Sequence, residues 1–406
     1  MQISDLEKEL NVPSFFRLGF RPFFLSGAIF SIIAVVLWLL MLKGAITTQP
    51  LGGAYWWHIH EMIFGFVAAI VAGFLLTAIQ NWTGVPGVKG TPLIALFILW
   101  LVARILILMP DLLGSTLTAL VDLSFFPVTA YFLAKPIIAI KQYRNLFFVP
   151  LLVLFTLANA EMHLSLLYPQ TFNLQLSGYA AVMLTVFLMS VMAGRVTPMF
   201  TANGTKTEKV LPIAWLEKLA NGSLAVCMVM LLLHPLVGFS HTIMGGLFII
   251  SGLSQAIRHF RLRPLSTLAV PLLWSLHTAL NFIWFGLIVL GVSYLMPAFN
   301  EGFIIVISHV WHILTIGAIG GLILAMISRV SLGHTGRPLT PPKSMIIAFV
   351  LISLSALIRA FGPWLLPEES TIFYDVSGFC WIVSFTLFVI NYAPFLTQPR
   401  KDGHPG

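Results

Sequence analysis

The sequence predicts an all-α membrane protein, a polytopic bundle of about twelve transmembrane helices with both termini cytoplasmic. Of its 406 residues, 58% are hydrophobic and only 9% are charged, and the mean hydropathy is +0.96. Soluble domains carry about 25% charged residues, so the composition excludes a soluble enzyme, a nucleic-acid binder and a disordered protein. Long continuous apolar runs favour helices over the shorter alternating strands of a barrel.

Twelve apolar stretches, most of them close to 20 residues, give the predicted spans. The eighth is short, and the tenth is long enough to tilt or to exceed the hydrocarbon core. The whole chain, 1–406, is expected to form a single membrane domain, with a cytoplasmic segment 1–22, a bundle 23–396 and a cytoplasmic tail 397–406. The N-terminus lacks a signal-peptide pattern, so no cleavage is expected. The predicted spans are 23–42, 58–80, 91–110, 112–134, 146–167, 174–194, 212–233, 241–257, 267–290, 303–328, 344–366 and 371–396.

The basic residues give the orientation of these spans. When the N-terminus is placed inside and the chain crosses twelve times, 19 of the 22 Lys and Arg residues fall in inner segments, and the remaining three are Lys43, Arg104 and Arg359. Such an imbalance is what the positive-inside rule predicts for a polytopic membrane protein. The net charge of +8 therefore reflects orientation in the lipid bilayer and does not indicate a nucleic-acid partner.

Ionisable residues within the spans are few. Arg104 and Asp122 lie in adjacent spans, as do Arg359 and Asp375. Because a charge in lipid is costly unless it is paired, we expect two structural ion pairs between neighbouring helices. The alternative interpretation is a path for protons or ions. The two cysteines, Cys227 and Cys380, both lie in apolar stretches and offer neither a disulfide framework nor a zinc motif.

Histidines contributed by several spans are the main functional signal. Neutral imidazole is the most common metal ligand and a frequent axial ligand of haem, and helical bundles build cofactor sites from side chains on facing helices. Aromatic belts and hydrated helix ends are the simpler explanations for individual residues. The spacing alone leaves haem, copper and a proton relay open. The expected metal ligands are His58, His60, Glu61 and His163, and the expected cofactor ligands are His277, His309 and His312.

Small residues and polar inner motifs complete the pattern. Gly65, Ala69 and Gly73 recur at every fourth position of the second span, which predicts close helix packing.

Three inner motifs are expected to be helix-ending turns with basic anchors, and their arginines are alternative partners for haem propionates or phosphate. Met192–Thr201 resembles Met326–Thr335 four spans later, which indicates either a four-helix duplication or convergent loop chemistry. The three inner motifs are Asn81–Gly84, Gly194–Thr201 and Arg329–Arg337.

Taken together, these motifs resemble those of the NnrS family, which comprises haem- and copper-containing membrane proteins of the bacterial nitric-oxide response. The resemblance extends from residue 16 to residue 337, so it covers all but the last two spans. The segments that carry it are Phe16–Phe24, Trp57–Phe66, Asn81–Gly84, Gly194–Thr201, His312–Gly320 and Ser328–Arg337.

The resemblance implies a twelve-helix inner-membrane protein that binds haem and copper and protects against nitric oxide in denitrification or nitrosative stress. It supplies no defined reaction and no oligomeric state. Nitric oxide is apolar enough to reach a site within the bundle through lipid. Two alternatives come from other classes: a twelve-helix secondary transporter in which histidines and Glu61 relay protons, and an assembly partner of respiratory oxidases.

Overall fold

The computed structural model describes residues 11–296 and 306–404, and within them twelve long helices account for the predicted spans. Each helix overlaps one predicted span, and all except α8 are long and apolar enough to cross a membrane. The predicted residues 303–305 and 1–10 lie outside the described part of the chain. The helices are α1 Phe20–Leu42, α2 Gly53–Thr83, α3 Thr91–Leu108, α4 Ser115–Ala139, α5 Phe148–Leu167, α6 Leu174–Thr205, α7 Ala214–Leu232, α8 His241–Phe260, α9 Pro271–Leu295, α10 Ile307–His334, α11 Ser344–Leu365 and α12 Ser370–Thr397.

The end of α6 differs from the prediction. The motif Gly194–Thr201 was expected to be a turn, but it continues the helix, which ends only where Lys206 adopts φ 55°. The prediction gave too much weight to Gly194 and Pro198, because transmembrane helices tolerate both when neighbouring helices pack against them. The other two motifs behave partly as expected: Gly84 (φ 71°) and Gly336 (φ 68°) follow the ends of α2 and α10, although Arg329 itself is helical.

The described chain divides into two compact units. Unit 1 holds residues 11–170, 327–339 and 385–404. Unit 2 holds residues 171–296, 306–326 and 340–384. Helices α10 and α12 are therefore each divided, with one segment in unit 1 and the other in unit 2.

Two helices contain a π-helical turn, which accommodates one residue more than an α-helical turn and is frequent at functional sites. In α2 it spans Glu61–Val67, and in α10 it spans Ile313–Gly320. Each π turn begins immediately after a histidine, His60 in α2 and His312 in α10.

A buried arginine in unit 1 binds the end of the last helix. Arg21, at the start of α1, is fully buried. Its Nη1 donates to the backbone oxygens of Phe395, Leu396 and Gln398, at 3.3, 3.1 and 2.7 Å. These carbonyls lie at or just beyond the C-terminus of α12, where the helix dipole favours a cation. Arg21 therefore caps α12.

Close backbone approach and a polar network order unit 2. At Gly245, Gly252 and Gly291, a Cβ would meet backbone atoms of the opposite helix, so α8 and α9 pack at short range. Nearby, Arg258 of α8 forms a salt bridge of 2.8 Å with Glu217 of α7 and donates to the Ser190 hydroxyl of α6. This network joins three consecutive helices.

Candidate metal centre

Four helices of unit 1 bring ionisable side chains to one buried position. Helix α2 supplies His60 and Glu61, α3 supplies Arg104, α4 supplies Asp122, and α5 supplies His163. All five side chains are at most 8% exposed. Asp122 lies where the first part of α4, Ser115–Leu123, ends just before Ser124. The π turn of α2 starts at Glu61, so the cluster forms where two helices depart from regular geometry.

Asp122 is the hub of this cluster. Its Oδ1 accepts a short hydrogen bond from Arg104, which confirms the predicted pair between α3 and α4. Its Oδ2 lies 3.1 Å from Nε2 of His60 and 3.1 Å from Nε2 of His163. Asn159 donates to the same oxygen at 2.7 Å. One carboxylate thus contacts side chains from α2, α3 and α5.

His60 bridges two carboxylates. Its Nδ1 lies 2.8 Å from Oε1 of Glu61, and its Nε2 faces Asp122 and, at 2.8 Å, the side-chain oxygen of Asn159. Both ring nitrogens face acceptors, an arrangement that the doubly protonated imidazolium satisfies. Arg104 also reaches Glu61 at 2.5 Å. Two cations, Arg104 and protonated His60, then balance two carboxylates, as burial requires.

Aromatic side chains enclose the cluster. The Trp56 ring stacks on His60 with centroids 4.5 Å apart, and its Nε1 donates to the backbone oxygen of Met162 at 2.8 Å. Phe64 lies 5.1 Å from the His60 ring on another side. Oε2 of Glu61 is buried and has no hydrogen-bond partner among the described residues. The site is therefore largely closed by apolar groups but retains one unused acceptor.

The donor atoms of His60, Asp122 and His163 all lie within 4.8 Å of one another. Two imidazole nitrogens and a carboxylate oxygen suit a first-row transition metal. The sequence predicted His60, Glu61 and His163 as ligands, and the structure brings these three together. It did not predict Asp122 as a ligand or Asn159 as a member. The signal for Asn159 was available, since Asn159 and His163 are four residues apart and share one face of α5.

The remaining predicted metal ligand, His58, lies elsewhere in unit 1. Its ring stacks on Trp38 of α1 with centroids 4.4 Å apart and an interplanar angle of 16°. This stacking agrees with the simpler explanation given above, in which an aromatic environment accounts for the histidine.

The predicted cofactor ligand His277 pairs with His259 in unit 2. The two rings are joined by a hydrogen bond of 2.9 Å, and Nε2 of His277 lies 2.9 Å from the Thr201 hydroxyl. Helices α9 and α10 run antiparallel, because Gly286 meets Leu314 and Gly321 meets Ala279. This register places His277 and His312 ~16 Å apart along the helix axis, at a rise of 1.5 Å per residue. The structure does not bring these two together.

His309 and His312 lie one turn apart at the start of α10. Nε2 of His309 is 3.2 Å from the Tyr374 hydroxyl, and Nδ1 of His312 is 2.7 Å from the backbone oxygen of Ser308. The guanidinium of Arg359 lies 4.3 Å from the centroid of the same Tyr374 ring. The structure therefore places Arg359 beside Tyr374, the neighbour of its predicted partner Asp375.

Comparison with protein families gave a match that covers most of the chain. The model of the family described as NnrS protein matches residues 14–400, which is nearly the whole chain. Comparison with curated protein sequences found no match.

Proposed function

Because the chain belongs to the NnrS family, we propose that it is a metal-binding protein of the bacterial inner membrane that acts in nitric-oxide metabolism or in resistance to nitrosative stress. The observation that carries the proposal is the buried group His60, Asp122 and His163. Copper is the metal that the family resemblance implies for such a site, and imidazole nitrogen is among its preferred donors.

The charges of the cluster support a metal at this position. With His60 neutral, two carboxylates would face only one cation, Arg104. A bound metal ion would supply the missing positive charge in place of the proton on His60. The unused Oε2 of Glu61 offers either a further ligand or an acceptor that orients one. Arg104 and Asn159 would hold Asp122 in position, as second-shell groups commonly do.

A transition metal held by His60, Asp122 and His163 would supply a binding site for nitric oxide. The residues around it supply the rest: Trp56 and Phe64 exclude water, and the ion pairs keep the donors at fixed positions. Nitric oxide is small and apolar, so it can reach such a site laterally from lipid.

The family resemblance also implies haem, for which the expected ligands are His277, His309 and His312. Of these, His312 has the clearest donor geometry. Its Nδ1 donates to the Ser308 carbonyl at 2.7 Å, which fixes the orientation of the ring. A second hydrogen bond of this kind is typical of histidines that bind metals.

The test is metal and haem analysis of the detergent-purified protein from haem- and copper-replete cells. We expect bound copper, a Soret band and a spectral change when nitric oxide is added. His60→Ala and His163→Ala should lower the copper content at least several-fold, whereas His404→Ala, in the exposed tail, should not change it.

A colourless, metal-free wild-type protein that is folded would overturn the proposal. Saturable substrate flux in vesicles made from such a protein would favour the transporter alternative. Co-purification with a respiratory oxidase, without ligand binding of its own, would favour the assembly alternative.

A further inference from the structure

Two loops of unit 2 meet on one side of its helices. The first joins α6 to α7 and covers 206–213, and the second joins α8 to α9 and covers 261–270. Nη2 of Arg261 in the second loop donates to the backbone oxygen of Leu211 in the first, at 3.1 Å. The second loop also contains a short 3₁₀ turn, Pro264–Thr267, which packs against α6. The two loops therefore form one continuous surface.

This loop surface exposes large apolar side chains. Leu265 is 81% exposed, Leu211 71% and Leu268 67%. Leu262 and Thr267 of the same loop are buried, so the loop is folded against unit 2 and directs one apolar face outward. Apolar surface in contact with water is unfavourable, and this face therefore indicates an apolar environment around it.

The exposed leucines lie where membrane helices begin. Leu211 precedes the first residue of α7 by three residues, and Leu268 precedes the first residue of α9 by three. Trp215, the second residue of α7, is 61% exposed. Tryptophan is enriched at membrane–water interfaces. The loop surface thus corresponds in position to the boundary between the acyl chains and the headgroups.

Cations lie among these leucines. In the two loops the cations are Lys206, Lys209, Arg261 and Arg263, and the one acidic residue is Glu208. Both lysines and Arg263 are exposed. The loops belong to the side of the chain that the distribution of basic residues predicts to be cytoplasmic. Basic segments next to membrane helices on that side attract anionic lipids.

We propose that the loop surface binds an anionic phospholipid. Leu265 and its exposed neighbours insert among the acyl chains, and Arg263 with the two lysines binds the phosphate of the headgroup. Arginine binds phosphate oxygens through two parallel hydrogen bonds, so Arg263 is the main headgroup contact. Arg261 has a different role, because its bond to the Leu211 carbonyl holds the two loops together. The proposal does not depend on the metal centre.

An anionic phospholipid fits the loop surface better than other anions do. A free phosphate ion or an acidic soluble protein would satisfy the cations. A phosphate ion offers nothing to the exposed leucines, and a soluble partner would have to cover them at the level of the headgroups. A phospholipid supplies an anionic group and apolar chains in the same molecule, in the order in which the cations and the leucines require them.

The first test measures thermal unfolding of the detergent-purified full chain with added phosphatidylglycerol or phosphatidylcholine. We expect phosphatidylglycerol to raise the unfolding temperature more, and the difference to shrink at high ionic strength. Arg263→Gln should reduce the difference by at least half, whereas Lys401→Gln, which removes an exposed cation of the C-terminal tail, should preserve it. Equal stabilisation by both lipids, or an equal loss in both variants, would overturn the proposal. Stabilisation by inorganic phosphate alone would also overturn it.

The second test measures insertion of the leucines. Both native cysteines are buried, so Leu265→Cys can carry a single fluorescent label in vesicles that contain phosphatidylglycerol. Spin-labelled lipid should quench this label several-fold more than a label on Lys401→Cys in the exposed tail. Equal quenching would place residue 265 in water, which would overturn the proposal and favour a soluble partner. None of these results bears on metal content, so the proposed function stands or falls separately.

Discussion

Trp56 lies flat against His60, with ring centroids 4.5 Å apart and an interplanar angle of 12°. The same indole donates through Nε1 to the backbone oxygen of Met162, the residue before His163. A single side chain thus orients the imidazole contributed by α2 and ties it to α5, the helix that contributes the second imidazole.

Replacing Trp56 should separate these two functions. Trp56→Phe keeps an aromatic ring against His60 and loses one hydrogen bond, so we expect a loss of ~1 kcal/mol in unfolding free energy and an unchanged metal content. Trp56→Ala removes the ring as well and should cost ~3–5 kcal/mol and reduce metal occupancy. Denaturant unfolding and metal analysis check both variants; equal metal loss in both would contradict an orienting role for the ring.

Asp122→Asn should destabilise the protein by ~3–5 kcal/mol, because the buried Arg104 loses one of its two carboxylate partners. Thermal unfolding in detergent measures the effect. Asp402→Asn is the matched control, since Asp402 pairs with Arg400 on the surface and should show no measurable change. An Asp122→Asn protein that unfolds like the wild type and keeps its metal, but no longer responds to nitric oxide, would indicate a proton or ion path instead of a structural pair.

Gly194→Ala should disrupt the network of unit 2. A Cβ at this position would overlap the Arg258 guanidinium that binds Glu217. We expect a loss of ~1–3 kcal/mol in unfolding free energy, as is typical when a packed interior is overfilled. Gly246→Ala in α8 is the control, because its added methyl group would meet no described residue within 4 Å outside its own helix, and it should be neutral or stabilising by up to ~1 kcal/mol.

Arg21→Ala should release the C-terminal tail. The three carbonyls that Arg21 caps would lose their donor, and trypsin should then cleave after Arg400 and Lys401 several times faster. Arg21→Lys should give an intermediate rate, since an ammonium group has fewer donors in a less suitable geometry. Arg17→Ala, which among the described residues loses the bond from Nε to the Val12 carbonyl and no contact with α12, should leave the cleavage rate unchanged.

The orientation proposed from the basic residues can be tested with single cysteines, because both native cysteines are buried. Ala45→Cys lies in the exposed loop after α1, and Glu208→Cys lies in the exposed loop after α6. A membrane-impermeant maleimide added to spheroplasts should label the first, and should label the second only after lysis. The opposite pattern would place the N-terminus in the periplasm.

Hydropathy and charge predicted the helices and the Arg104–Asp122 ion pair correctly. The spans followed from the length of apolar runs, and the Arg104–Asp122 pair followed from the cost of leaving either charge alone in lipid. The meeting of His60 and His163 was also expected, because both were predicted to be metal ligands contributed by different spans. These features depend on residue type and helix length, which a single sequence records directly.

Other features depend on contacts that a single sequence does not record. The role of Asp122 as a hub required knowing that α2, α4 and α5 meet at one depth. The π turns leave composition and hydropathy unchanged, so no pattern in Glu61–Val67 indicated one. The turn predicted at Gly194 was wrong because local Gly and Pro signals were applied to a helix whose neighbours support it.

The surplus residue in the π turn of α2 has a geometric consequence for the whole helix. Each residue of an α-helix turns the chain by about 100° about the helix axis. The extra residue of the π turn therefore rotates the part of α2 before Glu61 relative to the part after Val67. His60 can thus face Asp122 while Gly65 and Gly73 keep their own alignment against α1. Deleting Met62 would restore a regular α-helix. The protein would then lose either the orientation of the His60 ring toward Asp122 or the packing of Gly65 and Gly73 against α1.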